Sequence, residues 1–315
     1  MFAAGGLLVT PSAALAQRRE RPARVVYVAG AQQMIGEIRA GLIERGWKPG
    51  HDLILDERPA PADATGYERL ADEIVREGAD VVVVAGVATR PLHAALKARL
   101  PLAFSFSGDP VEAGLVRSLS HPGGASSGVT MLALELVGKR MQLLREVLPK
   151  LRRVAVFANP SHPGERAEYR ESAKAAEQLG VEVHYHQVRV PADFEKAFQS
   201  VLRERAEAID LFPDGLVIRQ AKLIAEFSLR EKKPAISGWG IFARQGNLLS
   251  YGPNFELAFR QTASFVDRIL RGAAPASLPV EYPTRLELVV NLKTAKGIGI
   301  AVPPSVLVRA DEVIQ

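Results

Sequence analysis

Short apolar segments of strand length alternate with longer segments of helical periodicity through most of this 315-residue chain. A first set of strands is predicted at Val25–Ala29, Leu53–Leu55, Val81–Val84 and Leu102–Phe106. Helices are predicted between them at Ile35–Arg45, Tyr67–Glu77 and Leu92–Arg99. The Val81–Val84 run is β-branched throughout, as in strands that are buried on both faces of a sheet. Such alternation predicts βαβ units and a mostly parallel sheet.

A loop rich in glycine and serine, Ser120–Gly128, interrupts this pattern, and the alternation then restarts. Val137, Met141, Leu144 and Leu148 fall at helical spacing. The second set has strands at Val154–Ala158, Val181–His186 and Ile209–Phe212, and helices at Arg166–Leu179, Phe194–Arg205 and Val217–Arg230. Further along, strands are predicted at Leu248–Tyr251 and Leu286–Asn291, with a helix through Phe259–Leu270 between them. Two successive sets predict an α/β protein with two similar lobes.

The first sixteen residues, Met1–Ala16, are uncharged and mostly small or apolar. Ala14-Leu15-Ala16 fits the small-x-small pattern that precedes a signal-peptide cleavage point. The apolar run is too short to span a bilayer. The pattern predicts a secretory signal peptide at residues 1–16 and a mature chain that is free in a periplasm. Since the chain has no cysteine, no lipid anchor is expected.

Composition excludes several kinds of site. The absence of cysteine rules out disulfides, thiolate metal sites and cysteine nucleophiles. The 40 lysines and arginines against 35 acidic residues give a net charge of +5 that is spread along the chain. Spread charge and an aromatic content of 6% predict no nucleic-acid partner, because nucleic-acid sites need a basic stripe or stacking rings. No cofactor is predicted, since phosphate-loop and dinucleotide glycine motifs are missing.

Two short patterns would be compatible with a hydrolase or with a metal site. Gly124–Gly128 fits the G-x-S-x-G nucleophile elbow around Ser126, which makes a hydrolase-like α/β enzyme the alternative hypothesis. That motif needs a strand directly before it, whereas a Pro-Gly-Gly loop precedes it here. His184 and His186 share one face of a predicted strand and would need a third ligand to hold a metal. We therefore predict no catalytic residue and no metal site.

Ligands of open parallel sheets bind outside the carboxyl ends of the strands, so the loops at those ends are the candidate sites. In the first lobe the candidate ligand-binding residues are Gln32, Gln33, Val87, Ala88, Thr89, Ser107 and Asp109. Small residues that lead into a helix at 85–89 expose backbone N–H groups, which suits a carboxylate. Thr89 is equally well explained as a helix N-cap, and Asp109 as a turn residue before proline.

In the second lobe the candidates are Asn159, Ser161, Asp214, Trp239 and Tyr251. Asp214 follows the strand Ile209–Phe212 and suits a ligand ammonium, although a helix N-cap is an equal alternative. Trp239 is either a stacking wall or part of the core.

Several motifs, taken in order, resemble one protein family. They are Asp109–Val111 with Ala113–Val116, His121–Gly124, Phe265–Leu270 with Gly272, Leu278–Val280 and the segment Leu288–Lys296. Together they resemble the substrate-binding proteins of ABC transporters, in the subfamily with some members linked to tryptophan or other aromatic amino acids. The resemblance covers about Arg24–Gln315.

The resemblance implies the type I periplasmic-binding-protein fold, in which two Rossmann-like lobes with parallel sheets are joined by a three-crossover hinge. It implies lobe 1 at 24–128 plus 252–280, lobe 2 at 129–251 plus 284–302, and a tail at 303–315. Crossovers are expected near Val129–Leu132, Ser250–Asn254 and Pro279–Arg285. The implied function is capture of a small polar molecule, such as an amino acid, and its delivery to an ABC membrane permease. A monomer is expected.

A cytoplasmic sensor of the sugar-responsive repressor type is a further alternative. It would need a DNA-binding helix-turn-helix before the first strand, and Gln17–Ala23 is too short to form one.

Removal of Met1–Ala16 during export is the first testable expectation, because the Ala14-Leu15-Ala16 pattern places cleavage before Gln17. Expression with the complete native leader, followed by N-terminal sequencing of the periplasmic fraction, should give Gln17 as the first residue. Intact protein found solely in the cytoplasm would contradict export.

Overall fold

The first sheet is built by the amino-terminal third of the chain. The computed structural model describes residues 21–29, 34–131 and 134–315. Five parallel strands lie in the order β2-β1-β3-β4-β5. Their bounds are β1 Ala23–Ala29, β2 Leu53–Pro59, β3 Val81–Ala85, β4 Leu102–Phe106 and β5 Ser126–Thr130. The helices between them are α1 Ile35–Glu44, α2 Ala64–Arg76 and α3 Thr89–Leu96, and a 3₁₀ turn at Gly86–Ala88 precedes α3.

The second sheet has seven strands in the order β12-β11-β10-β9-β8-β6-β7. All neighbours are parallel except β10 and β11, which are antiparallel. The strands are β6 Arg153–Ala158, β7 Glu182–Gln187, β8 Ala208–Leu211, β9 Ala235–Ser237, β10 Leu249–Pro253, β11 Leu286–Asn291 and β12 Glu312–Ile314. The helices of this part are α4 Leu134–Val147, α5 Glu165–Leu179, α6 Asp193–Arg203, α7 Gly215–Arg219, α8 Ala221–Glu231, α9 Gly240–Arg244, α11 Leu292–Ile298 and α12 Pro304–Leu307.

Helices cover both faces of each sheet, and this explains the uniformly apolar strands. Val81, Val82, Val83 and Val84 are all fully buried, with alternate residues in the two apolar clusters on opposite sheet faces. Helix α2 buries one stripe, which includes Leu70 and Ile74. The predicted α/β fold with two parallel-sheet lobes is confirmed.

The chain passes between the two sheets three times. It leaves the first lobe after β5, returns after β10 into α10, Phe255–Leu270, which packs against α1, and leaves again before β11. On the last passage, Glu281 forms backbone hydrogen bonds with Gly128 and Thr130 at the end of β5. The crossing segments therefore lie beside one another.

Three details differ from the sequence-based expectations or add to them. The single helix expected at Val217–Arg230 is two helices, α7 and α8, separated at Gln220. Helix α9 was not predicted, because five residues are too few for a periodic pattern. Residues 303–315, expected to be a tail, form helix α12 and the strand β12, which is the edge strand of the second sheet. In the described part of the chain, no helix has the length and apolar character that a membrane span requires.

The strands β4 and β5 approach each other closely at Gly128, and this contact allows a prediction about stability. A Cβ at Gly128 would lie 2.1 Å from the backbone oxygen of Phe104. Gly128→Ala is expected to lower the free energy of unfolding by about 1–3 kcal/mol, since the central backbone must shift. Gly36→Ala is the matched control: nothing lies within 4 Å of its Cβ position in α1, so stability should be unchanged or higher. Urea denaturation measures both, and equal stabilities would contradict the packing argument.

Candidate functional site

A cavity of about 480 Å³ lies between the two lobes. Its walls come from the loops that follow β3 and β4 in lobe 1 and from those that follow β6, β8 and β9 in lobe 2. This is the edge of both sheets at which parallel strands end, where open α/β sheets bind ligands. The volume falls within the range of small-molecule sites.

Lobe 1 supplies the turn before α3 and two hydroxyl-bearing side chains to the cavity. Gly86 and Val87 line it from the 3₁₀ turn that leads into α3. Gly86 has φ +63°, a left-handed conformation that glycine adopts without strain. Ser107 lines the cavity from the loop after β4. Tyr27 on β1 forms part of the floor, and burial raises the pKa of its phenol far above the ordinary value.

Lobe 2 supplies a buried carboxylate, Asp214, which is 4% exposed. Its Oδ1 accepts hydrogen bonds from the backbone N–H of Leu216 at 2.7 Å and from Nδ2 of Asn159 at 3.2 Å. The hydrogen bonds that these described residues make to the carboxylate both end on Oδ1. Oδ2 is therefore the oxygen through which Asp214 can meet a ligand in the cavity.

The buried imidazole of His162 joins the two lobes. Its Nε2 lies 2.9 Å from the Oγ of Ser107, and its Nδ1 accepts the backbone N–H of Gly164 at 3.2 Å. Since Nδ1 accepts, Nε2 carries the proton and donates it to Ser107. Burial lowers the pKa of His162 to about 4, although the charge of Asp214 acts in the opposite direction.

Aromatic and apolar side chains also line the cavity. Trp239 after β9 packs on Phe255 at the start of α10, with ring centroids 4.4 Å apart. Phe255 in turn packs on Phe259 at 5.0 Å. Met131, at the end of the first passage between lobes, also lines the cavity. We call Trp239, Phe255, Phe259 and Met131 the aromatic wall.

Two arginines border the cavity from lobe 2 and remain exposed to solvent. Arg189 follows β7, and Arg219 ends α7. Their positions at the rim place positive charge where a ligand enters the cleft. Such charge favours the approach of an anionic group.

The lobes approach closely on one side of the cavity. A Cβ at Gly108 of lobe 1 would lie 2.6 Å from the Cβ of Pro163 in lobe 2. Trp239 belongs to lobe 2, yet it is part of the apolar cluster of lobe 1. The structure therefore has the two lobes in direct contact around the cavity.

A buried group of charges lies behind His162 in lobe 2. Nε of Arg140 on α4 is 3.5 Å from Oδ1 of Asp210 on β8. Glu168 on α5 lies with its Oε2 3.9 Å from Nδ1 of His162. Burial raises the pKa of Glu168 to about 8 and raises that of Asp210, while Arg140 opposes both shifts. Glu168 is therefore protonated near neutral pH.

The structure brings together five of the residues named from the sequence, namely Val87, Ser107, Asn159, Asp214 and Trp239, all of which line the cavity. Ala88 and Thr89 are fully buried and do not line it. Asp109 and Ser161 line an adjoining outer groove, and Tyr251 borders a separate small pocket near α4. Gln32 and Gln33 lie outside the described residues.

Both alternative explanations for Asp214 and Trp239 also hold. Asp214 caps α7 while it lines the cavity, and Trp239 is 5% exposed within the core while it forms the wall. Asp109 accepts the N–H groups of Val111 and Glu112, as a turn residue does. Asp214 and Trp239 thus each combine a structural role with a place in the cavity.

Sequence reasoning missed His162, Arg189, Arg219, Tyr27, Phe255 and Phe259. His162 belongs to the same strand-end loop as Asn159 and could have been included on that ground. Tyr27 lies inside a strand, and Phe255 and Phe259 belong to a helix, so strand-end reasoning could not select them.

The geometry does not fit a serine hydrolase. Ser126 begins β5 and is 1% exposed, whereas a nucleophile elbow follows its strand. Ser107, His162 and Glu168 have the residue types of a triad. However, Nδ1 of His162 accepts a hydrogen bond from Gly164 instead of donating one to the carboxyl group, so the base is not oriented as a triad requires.

His184 and His186 share the carboxylate of Glu204, whose Oε2 lies 3.4 Å from Nδ1 of His184 and 2.9 Å from Nε2 of His186. Across residues 21–29, 34–131 and 134–315, no group of three or more His, Cys, Asp or Glu side chains is arranged to hold a metal ion.

Comparisons with known proteins agree with this architecture. A tyrosine-binding protein of Clostridioides difficile is 24% identical over 268 residues, which cover 84% of this chain and 76% of that protein. A solved conserved domain protein from Vibrio cholerae is 26% identical with a TM-score of 0.83, covering 93% of this chain and 100% of that one. A Streptococcus pneumoniae ABC domain solved with L-Trp has the same TM-score and coverage at 23% identity.

The family model described as ABC transporter substrate binding protein matches residues 23–314. That match spans both lobes and all three passages between them. The family consists of solute-binding proteins, which bind a small molecule and serve an ABC transporter. The predicted substrate-binding function is confirmed at this level, and the chain belongs to the ABC transporter substrate-binding protein family.

Proposed function

We propose that this protein binds an aromatic L-amino acid between its lobes and presents it, unchanged, to an ABC importer. The observation that carries the proposal is a buried carboxylate, Asp214, that lines the same cavity as the aromatic wall. A carboxylate and apolar rings in one cavity suit the ammonium and the side chain of an aromatic amino acid.

The ligand ammonium pairs with Asp214. A carboxylate that is 4% exposed is costly unless it is paired, and its hydrogen bonds to Leu216 and Asn159 end on one oxygen. A ligand ammonium at Oδ2 supplies the missing opposite charge within the cavity. Asn159 orients the carboxylate through its amide and so fixes where the ammonium binds.

The ligand carboxylate is bound on the lobe 1 side. The turn Gly86–Ala88 leads into α3, and the N–H groups at the start of a helix carry partial positive charge. Ser107 offers a hydroxyl at the same edge of the sheet. Arg219 at the rim adds a positive charge that attracts the anion to the cleft.

The ligand side chain lies against the aromatic wall. Offset and edge-to-face contacts between rings add to the free energy of burying apolar surface. Trp239 comes from lobe 2, while Phe255 and Phe259 come from the lobe 1 helix α10. A ring bound there contacts both lobes, and its binding favours the arrangement in which they are in contact.

The names of the relatives support an amino acid ligand: one is a tyrosine-binding protein, and another was solved with L-Trp. We further propose a periplasmic location after removal of residues 1–16, a monomeric state and no nucleic-acid partner. The partner is the membrane permease of the importer. Binding without chemical conversion is supported by the unsuitable orientation of His162 beside Ser107.

Substitution of Asp214 tests the ammonium contact. Asp214→Asn keeps a good helix N-cap but removes the charge, and it should weaken binding of L-tyrosine or L-tryptophan by roughly 2–5 kcal/mol. Isothermal titration calorimetry measures the loss. Asp109→Asn is the matched control, because Asp109 also caps its own turn but faces the outer groove, so its Kd should stay within about twofold of the native value. Equal affinities of the native protein and Asp214→Asn would contradict the proposal.

The aromatic wall gives a second prediction. The chain has two tryptophans, and Trp47 lies away from the cavity with its Nε1 donating to Asp267. In a Trp47→Phe variant, L-phenylalanine should change the remaining fluorescence, which comes from Trp239. It should also bind about 10- to 100-fold more tightly than L-alanine, as burial of a phenyl ring predicts.

Trp239→Phe, which retains Trp47, is the control for that titration. Its fluorescence should not respond to L-phenylalanine. A response from Trp47 with none from Trp239, or equal affinities for phenylalanine and alanine, would show that the side chain does not contact the wall.

A further inference from the structure

His162 is a titratable side chain that lies where the two lobes are in contact. It is 5% exposed, and its Nε2 reaches across the cleft to Ser107 of lobe 1. The next residue, Pro163, is the one that Gly108 of lobe 1 approaches most closely. Separation of the lobes would break both contacts and expose the ring to water from the lobe 1 side.

The hydrogen bonds of His162 require the neutral imidazole. Nδ1 accepts from the N–H of Gly164, and Nε2 donates to Ser107. A second proton would reside on Nδ1 and point at the N–H of Gly164, so the hydrogen bond would become a repulsion between two donors. The Gly164 contact lies within lobe 2 and opposes the imidazolium in either arrangement of the lobes. Contact with lobe 1 at Ser107 adds the burial of the ring, which disfavours the charged form while the lobes are in contact.

Charges on several elements face His162. From lobe 2 these are Asp214 after β8, Glu165 and Glu168 on α5 and, behind Glu168, Arg140 on α4. Arg189 and Arg219 border the same cavity that His162 lines. The adjoining groove is lined from lobe 1 by the charged or titratable residues Arg90, His93, Asp109 and Glu112, and from lobe 2 also by Arg166. Asp214 favours the imidazolium, but burial outweighs it and lowers the pKa of His162 to about 4. Glu168 offers no negative partner near neutral pH because its own pKa is raised to about 8.

We propose that His162 is a positioning residue that couples closure of the lobes, and with it ligand affinity, to loss of a proton from its imidazole. The inference rests on the proposed function in one respect, the ligand ammonium at Asp214. That ammonium neutralises the carboxylate that favours a charged His162. Ligand binding and proton release from the ring therefore reinforce each other.

The sign of the effect follows from linkage. The pKa of His162 is about 4 when the lobes are in contact, and an ordinary histidine has 6.5. The closed form is thus fully favoured above about pH 6.5 and loses stability as the pH falls from there toward 4. Glu168, Arg140 and Asp210 all lie on elements of lobe 2, and a variant without the His162 imidazole reports any pH dependence that they contribute.

Calorimetric titration of the full chain with L-tryptophan at pH 7.5, 6.5, 5.5 and 5.0 tests the inference. The charge of free tryptophan is constant over this range. If the ring is exposed in the open form, Kd should rise by about 25-fold from pH 7.5 to 5.0. His162→Gln can still donate a hydrogen bond to Ser107 but cannot titrate. The Kd of this variant should therefore not change with pH, whatever its absolute value. His93→Gln, in the adjoining groove, should keep the native dependence.

A rise in Kd of threefold or more for the native protein and for His93→Gln, with less than twofold for His162→Gln, supports the inference. Any other combination overturns it. Absence of binding at pH 7.5 overturns the proposed ligand and this inference together, whereas binding that ignores pH overturns this inference alone. If His162→Gln does not fold, NMR titration of His162 in the native protein replaces it. Its pKa must then fall by about half a unit or more when L-tryptophan saturates the site, and an unchanged pKa overturns the inference.

Discussion

Helices cover each parallel sheet on both faces, and the position of the cavity follows from that covering. Parallel strands need crossover helices, and those helices bury both faces of the sheet, as the full burial of Val81–Val84 shows. The carboxyl edge of each sheet is then left for a ligand. Two lobes with these edges turned toward each other enclose a cavity that neither lobe forms alone.

Burial restricts which ligand groups the polar side chains of that cavity can accept. Asp214 is held by Asn159 and by the first turn of α7, and both of these hydrogen bonds end on one oxygen of the carboxylate. His162 is neutral because burial disfavours its charged form. A site with a buried aspartate and an aromatic wall distinguishes ligands by both polarity and shape.

Much of the fold and part of the site could be predicted from local sequence. Strand periodicity located β1, β3, β4, β6 and β8, and the loops after them contained Val87, Ser107, Asn159 and Asp214. Helix α9, β12 and the break at Gln220 are short or interrupted, so periodicity over a window of ten or more residues could not detect them. Tyr27 and Phe259 lie inside a strand and a helix, where an apolar ring is indistinguishable from a core residue.

Local sequence patterns are enough to predict the two α/β lobes, the likeness to substrate-binding proteins and the edge of the sheets at which the cavity lies. These follow from period and order along the chain, which are local properties. Tertiary structure alone decided that His162 meets Ser107, that Trp239 packs on Phe255 across the cleft, and that Tyr251 lies elsewhere. Those contacts join residues that are distant in the chain, and they depend on how the two lobes pack, which no local pattern encodes.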